Sequence, residues 1–489
     1  MTDAASTRPE ADYFRDADLV ADPYPYFDSL RNQCSVHRER AHDVVMITGY
    51  DEAVAVFNDQ RFSSCTASTG PFPGFPVPLE GDDVSELIEK HRDELPFSDQ
   101  ILTFDPPKHT DHRALLMRLI TPKRLNENEA FMWGLADRQI DTFIANGECE
   151  FISEFATPVA MLVIADLLGV PEEDHQHFRD SMLRRGGNVG GTADRPVEHS
   201  PLEWLYDQFA AYIEDRRREP RGDVLTGLAT ATFPDGSLPE VMDAVRIASN
   251  LFAAGQETTV RLLSTALLLI AERPELQAAL RADPALIPNF IEECLRYESP
   301  VKGDFRLTKM RADVGGVEIP AGSNVMVLNG AANRDPRKFD NPSEFQVDRA
   351  NARQHLAFGR GPHTCPGAPL ARAEGRISIE RMLARTSNIR ISERAHVRPK
   401  PADIDTCRPT SCAVSPTSRS SSNREGLRRR GRVRRPRRLR RALSRRVRPR
   451  RRRLRGHARH RGATVARGRG ATGGGPVPDP RDPGRMTTR

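Results

Sequence analysis

The spacing of apolar residues along the chain predicts a helix-rich protein. In the longest helical pattern, from near Pro239 to a stop at Pro274, apolar residues recur at intervals of three and four positions. Roughly 35 residues at ~1.5 Å each would make this helix ~50 Å long, enough to cross a whole domain. Residues 108–272 as a whole are mostly helical in pattern, with a glycine-rich break at 186–196.

Short alternating segments predict strands at both ends of this helical region. DVVMITGY precedes it, and DVGGVEIP and NVMVLN follow it. The Pro/Gly-rich stretch from Ser63 to about Phe97 is too irregular for a regular element, and a long loop inside a compact domain is usually a lid or a binding loop. The predicted fold is therefore mainly α-helical with a small β-rich lobe.

Charge divides the chain into two unlike parts. Residues 421–489 contain 26 Arg, no Lys and 3 acidic residues, a net charge of +23, whereas residues 1–420 carry 47 basic and 64 acidic residues, a net charge of −17. The N-terminus lacks a secretory signal pattern, and the longest strongly apolar stretch, Leu262 to Ala271, is too short to span a bilayer. We therefore expect a cytoplasmic protein without a membrane segment.

One cysteine, Cys365, lies in a loop rich in glycine and proline. Residues 358–367 read FGRGPHTCPG, and a predicted helix starts near Ala368. Backbone N–H groups in such a loop, together with a helix N-terminus, stabilise a thiolate, which is a good axial ligand for haem iron. A single cysteine is more often an inert small apolar residue, so the loop alone leaves both interpretations open.

The longest predicted helix breaks local rules at AGQETT, which contains Gly255, Glu257 and Thr258. A glycine inside a helix costs about 1 kcal/mol relative to alanine, and rules broken within a strong element often mark a site. A threonine bonded back to its own helix beside an exposed glutamate is the structural alternative. Glu293 and Arg296 are also ambiguous alone, because an i, i+3 spacing is typical of surface ion pairs.

Taken together, these motifs resemble the bacterial type of the cytochrome P450 family. The family's haem loop, FGxGxHxCxG followed by LAR, is matched from Phe358 through Gly367 and on to Arg372. The resemblance implies the cytochrome P450 fold over residues 11–395, a disordered N-terminus at 1–10, and haem b bound through Cys365 as the iron ligand.

The resemblance also implies roles for other residues. Thr258 would stabilise the activated oxygen by hydrogen bonding, Glu257 would relay protons to it, and Gly255 belongs to the same motif. Glu293 and Arg296 would lie buried beneath the haem and join Arg349, with a structural role. The residues expected to bind the haem or its propionates are His109, Arg113, Arg306, Phe358, Gly359, His363 and Gly367.

The implied activity is that of a monooxygenase, which inserts one oxygen atom of O2 into a small hydrophobic organic substrate. Electrons would come from a separate ferredoxin and its NAD(P)H-dependent reductase, because no flavin- or iron–sulfur-binding segment is visible. A peroxide-driven haem enzyme is one alternative, although it would not need Glu257 and Thr258. A haem-binding protein that is catalytically impaired by loss of its native C-terminus is another.

The C-terminus departs from the family pattern. Family members close with strands that contain a stretch like PTYILRGLTDL, whereas this chain departs from that pattern after about Ser392 and becomes arginine-rich from about residue 421. The codons of residues 407–418 can encode that stretch when they are read two bases later. We therefore predict a frameshift between roughly residues 392 and 403, which leaves 396–489 atypical and disordered. A genuine cationic tail that binds nucleic acid or acidic membrane is the competing interpretation, and nucleic acid is not the expected partner.

Overall fold

The computed structural model describes residues 11–178, 200, 202–392 and, as backbone, 411–416. The predicted glycine-rich break at 186–196, the N-terminal segment 1–10 and the arginine-rich region beyond residue 420 lie outside the described residues. Within the described part, no helix combines the length and the apolar character needed to cross a bilayer.

α-Helices are the main regular element of the described chain, as predicted. They are α1 Ala17–Ala21, α2 Tyr24–Gln33, α3 Tyr50–Asn58, α4 Ser85–His91, α5 Lys108–Met117, α6 Pro122–Phe143, α7 Thr157–Leu168, α8 Glu203–Arg218, α9 Val224–Ala229, α10 Val241–Glu272, α11 Pro274–Ala282, α12 Ile287–Tyr297, α13 Asn329–Ala332 and α14 Ala368–Arg385.

The longest helix, α10, confirms the prediction made between Pro239 and Pro274. It packs against α7, α8 and α14, and its buried positions include Ala244, Ala248 and Leu251 at helical spacing. These residues belong to the largest apolar core of the protein, which α6, α7 and α12 also line. Because α14 begins three residues after Cys365, the contact of α10 with α14 connects the AGQETT helix to the element that follows the cysteine loop.

The strands form a smaller lobe. They are β1 Val36–Arg38, β2 Val45–Ile47, β3 Phe62–Ser63, β4 Glu148–Glu150, β5 Asp304–Thr308, β6 Ala312–Val314, β7 Val317–Ile319, β8 Asn324–Val327, β9 Thr386–Ile391 and β10 Ser411–Pro416. A five-stranded sheet has the order β1-β2-β8-β5-β3, in which β2 and β8 run parallel. DVGGVEIP forms the β6–β7 hairpin, since Gly315 and Gly316 adopt positive φ angles of 61° and 79° at its turn.

Two sequence expectations need correction. The stretch from Ser63 to Phe97 is not wholly irregular, because Ser85–His91 forms α4, which buries Ile88 and carries Glu86 at its start and Lys90 near its end, as the helix dipole favours. The domain boundary at about residue 395 also omits β10, which pairs antiparallel with both β4 and β9.

Candidate functional site

The loop that carries Cys365 is closed by its own backbone. The N–H of Cys365 donates to the carbonyl of Phe358 over 2.8 Å. Gly359 and Gly361 adopt φ angles of 63° and 69°, and a Cβ at Gly361 would overlap the carbonyl oxygen of Phe57 in α3. Glycine is therefore required here both for the turn and for the close approach of the loop to α3.

The sulfur of Cys365 faces the start of α14. A Cβ built on Gly367 would lie 3.8 Å from Sγ. Burial raises the pKa of the Cys365 thiol, while hydrogen bonds from the N–H groups of Gly367 and Ala368 and the charge of Arg113 act to lower it. The loop thus holds a partly buried thiol among donors that favour its anion, and bonding to a metal ion deprotonates such a thiol outright.

Two histidines and two arginines gather beside this loop. The rings of His109 and His363 lie 3.9 Å apart between centroids. Arg113, one turn after His109 in α5, donates to the carbonyl of Thr364, next to Cys365. Burial, followed by the positive charges nearby, lowers the pKa of His109 to about 4, and burial together with His109 and Arg306 lowers that of His363 to about 3.

Arg306 is buried in β5, and its guanidinium donates to the carbonyl of Phe305 over 2.6 Å. Within the described ranges, neither Arg306 nor Arg113 has a carboxylate oxygen within 4.0 Å of its guanidinium. A buried cation without a counter-charge is costly. The cluster therefore suits an anionic group.

The AGQETT residues lie on an unbroken α10. Thr258 donates from Oγ1 to the carbonyl of Ala254 over 3.0 Å, and Glu257 pairs with Arg261, which also donates to Pro300 O over 3.2 Å. Thr258 is thus bonded back to its own helix beside a glutamate in a surface ion pair, which is the structural alternative given above for this motif. A Cβ at Gly255 would meet Ile164 at an ordinary 3.6 Å, so packing of the protein alone does not require a glycine there.

Glu293, Arg296 and Arg349 meet in the core, so their spacing does not mark a surface pair. Arg296 donates to both carboxylate oxygens of Glu293 over 2.7 and 2.8 Å, and Arg349 Nε lies 3.0 and 3.1 Å from the same two oxygens. Both arginines also donate to backbone carbonyls between residues 333 and 344. One carboxylate thus serves two guanidinium groups, and backbone carbonyls accept their remaining N–H donors, as burial requires.

Sequence reasoning missed a second network beside the first. Glu292, adjacent to Glu293, binds Arg372 and His355. Arg372 was part of the LAR match, but nothing in its spacing from Glu292 signals that the two residues meet.

Comparison with known proteins decides the family. The family model described as cytochrome P450 matches residues 228–401. Cytochrome P450 144 of Mycobacterium tuberculosis is 34% identical over 398 residues, which cover 78% of this chain and 87% of the relative. The chain belongs to the cytochrome P450 family.

Other P450s agree in sequence and in fold. Cytochrome P450 monooxygenase PikC of Streptomyces venezuelae is 33% identical, over 76% of this chain and 86% of the relative. The structure of Mycobacterium marinum cytochrome P450 CYP150A6 in its substrate-free form is 52% identical, covers 83% of this chain and 99% of that chain, and superposes with a TM-score of 0.77. The predicted P450 fold is thus confirmed, and the protein is a haem b-dependent monooxygenase of the oxidoreductase class.

Proposed function

We propose that Cys365 is the axial ligand of the haem iron and that the enzyme inserts one oxygen atom of O2 into a small hydrophobic substrate. The observation that carries this proposal is the glycine-containing loop that holds a partly buried thiol at the start of α14, beside buried Arg306 and half-buried Arg113, which have no carboxylate partner among the described residues. Bound haem supplies O2 activation and electron transfer, to which a thiolate ligand contributes electron density. Phe358, Gly359 and Gly367 shape the loop around that ligand.

Arg113, Arg306, His109 and His363 fit the two propionates of haem, because the two guanidinium groups offer positive charge and the neutral histidines offer N–H donors at one place. Arg306→Gln is expected to weaken haem binding about 10-fold, since it removes one charge-assisted hydrogen bond. The measurement is haem titration of the apoprotein. Arg311→Gln, in the neighbouring exposed pair with Glu318, serves as the control and should leave haem affinity unchanged. Equal affinities in the two variants would contradict the assignment of Arg306.

Thr258 and Glu257 are assigned to proton delivery, with Gly255 leaving space beside them on α10. Thr258 already donates to Ala254 O, so its own oxygen can accept a hydrogen bond from water, while Glu257 holds a carboxylate one residue away. For proton delivery, the carboxylate of Glu257 must first leave its ion pair with Arg261.

Glu257→Gln and Thr258→Ala are each expected to lower product formation about 100-fold, because general acid–base steps contribute on that scale. Consumption of NAD(P)H should continue, with hydrogen peroxide formed in place of product. Thr265→Ala, on the same helix, is the control. If both variants form product normally with NAD(P)H, the proton-delivery assignment is wrong. If they form no product either with NAD(P)H or with added peroxide, the two residues act at another step of the cycle.

A ferredoxin and its NAD(P)H-dependent reductase are the proposed electron donors, in a cytoplasmic setting. Arg353 and Arg360 are exposed near the cysteine loop, on a body whose net charge is otherwise negative. Such a local basic patch favours an acidic redox protein. Two further relatives are named 6-deoxyerythronolide B hydroxylase and Biotin biosynthesis cytochrome P450, which are unlike roles, so we propose only the class of small hydrophobic organic molecules as substrate.

We also propose that the region from about residue 396 is translated out of frame. What supports this is the place of β10: its residues 411–416 lie between β4 and β9, and their codons, read two bases later, can encode LRGLT of the family's closing strand. Resequencing the locus tests the idea, and an uninterrupted frame with these codons would refute it. If the frameshift is present in the cell, an impaired haem protein becomes the second candidate function.

A further inference from the structure

A second buried carboxylate lies beside the one that holds Arg296. Glu292 accepts hydrogen bonds from Arg372 Nε over 2.6 Å and Nη2 over 3.1 Å, and from His355 Nε2 over 3.1 Å. Burial by itself raises the pKa of Glu292, but the hydrogen bonds from His355 and Arg372 outweigh it and bring the pKa to about 2. Glu292 is therefore an anion that joins α12, α14 and the segment before the cysteine loop.

Both partners of Glu292 contact the start of the cysteine loop. The guanidinium of Arg372 lies 4.7 Å from the centre of the Phe358 ring. His355 Nδ1 accepts the N–H of Ala357 over 3.1 Å. Since the carbonyl of Phe358 accepts the N–H of Cys365 over 2.8 Å, an unbroken series of contacts runs from Glu292 to the cysteine.

The charges of this cluster balance. Because His355 accepts at Nδ1 and bonds the carboxylate through Nε2, its proton lies on Nε2 and the ring is neutral, in line with a pKa that burial lowers. The charges of Glu292 and Arg372 then cancel, and Arg353, whose side chain is 76% exposed and lies 3.8 Å from Glu292, adds only a solvent-screened charge. Removing either one leaves an uncompensated charge close to the loop.

We propose that Glu292 is a positioning residue for the cysteine loop. Through Arg372 and His355 it fixes the position of Phe358, and in this way it affects how tightly the haem is bound and the reduction potential of the haem. This inference rests on the proposed function, because it takes Cys365 as the iron ligand. Partners outside the ligand shell of a metal often affect its binding about 10-fold or more.

The experiment uses the full-length haem protein and compares Glu292→Gln and Arg372→Gln with the wild type. Loss of the carboxylate should raise the midpoint potential, because a net positive charge stabilises the reduced haem, and loss of the guanidinium should lower it. Both variants should transfer haem to apomyoglobin about 10-fold faster. The double variant should regain the wild-type potential but not the slow haem loss, because charge balance returns while the contact with Phe358 does not.

Arg376→Gln is the matched control. Arg376 lies one turn after Arg372 in α14, has a similarly exposed side chain (27% against 28%), pairs with Glu129 and Glu380, and also lies over an aromatic ring, that of Trp133. Its replacement should change neither the potential nor the rate of haem loss.

The outcomes separate this inference from the proposed function. A wild-type protein without the thiolate haem spectrum would overturn the function itself. A normal wild type, with Glu292→Gln and Arg372→Gln indistinguishable from Arg376→Gln, would overturn only the role of Glu292. If Glu292→Gln does not fold, Arg372→Lys gives the test: it keeps the charge but loses the planar group over Phe358, so haem loss should accelerate at an unchanged potential. Haem loss equal to that of Arg376→Gln would refute the proposal.

Discussion

Replacing Cys365 by serine is expected to abolish the ~450 nm absorption band of the dithionite-reduced protein under carbon monoxide, because that band reports a thiolate bound to haem iron. Serine keeps the size of the side chain but supplies no thiolate. The measurement is the difference spectrum of purified wild type and Cys365→Ser at equal haem content. Monooxygenase activity should be lost together with the band.

The exposed Cys34 provides the control for this experiment. Cys34→Ser should retain the ~450 nm band. A band that persists in Cys365→Ser would refute the assignment of the ligand. A wild-type band near ~420 nm would show that the native thiolate site does not form in this chain, and the atypical C-terminus would be the first cause to examine.

Replacing Glu293 by glutamine is expected to destabilise the protein by about 3–5 kcal/mol, because it leaves Arg296 and Arg349 buried without a counter-charge. Both Glu293 and Arg296 have fully buried side chains in an ion pair, so solvent cannot compensate for the loss. The measurement is the free energy of unfolding from urea denaturation, followed by haem absorbance and by circular dichroism.

An exposed ion pair on α6 provides the comparison. Glu127 pairs with Arg124 over 3.1 Å and with Lys123 over 3.8 Å, and its side chain is 48% exposed. Glu127→Gln should change the unfolding free energy by less than about 1 kcal/mol. If Glu293→Gln is as mild as Glu127→Gln, the buried network does not stabilise the fold in the way that its geometry indicates.

Features that depend on neighbours in sequence were predictable. The apolar period between Pro239 and Pro274 predicted α10 almost to its ends, and the turn glycines around Cys365 marked the loop before a helix. The prediction of an irregular segment from Ser63 to Phe97 was wrong where a short helix depends on a tertiary contact. Ile88 enters the core and stabilises α4 within a stretch that otherwise has the composition of a loop.

The pair Glu292 and Glu293 shows most clearly where prediction from sequence ends. Glu292 and Glu293 are adjacent and chemically identical, yet Glu293 binds Arg296 and Arg349 while Glu292 binds Arg372 and His355. On a helix, successive side chains point about 100° apart, so the two carboxylates meet different elements. Which elements those are depends on how α12 packs against α14, and no spacing along the chain encodes it.

The sequence by itself determined the helix-rich class, the cysteine loop and, through the motifs, the expectation of a P450 fold with haem b. These depend on side-chain period, backbone freedom at glycine and the order of local motifs, all of which are properties of contiguous residues. Only the tertiary structure decided that Arg113 and Arg306 lie near His363 with no carboxylate partner in the described part of the chain, that Glu292 connects to the cysteine loop through Arg372, and that β10 pairs with β4. The reason is that ion pairing, burial and strand pairing between distant segments depend on how these segments pack. A buried charge is stable only when the packing brings an oppositely charged or hydrogen-bonding partner next to it.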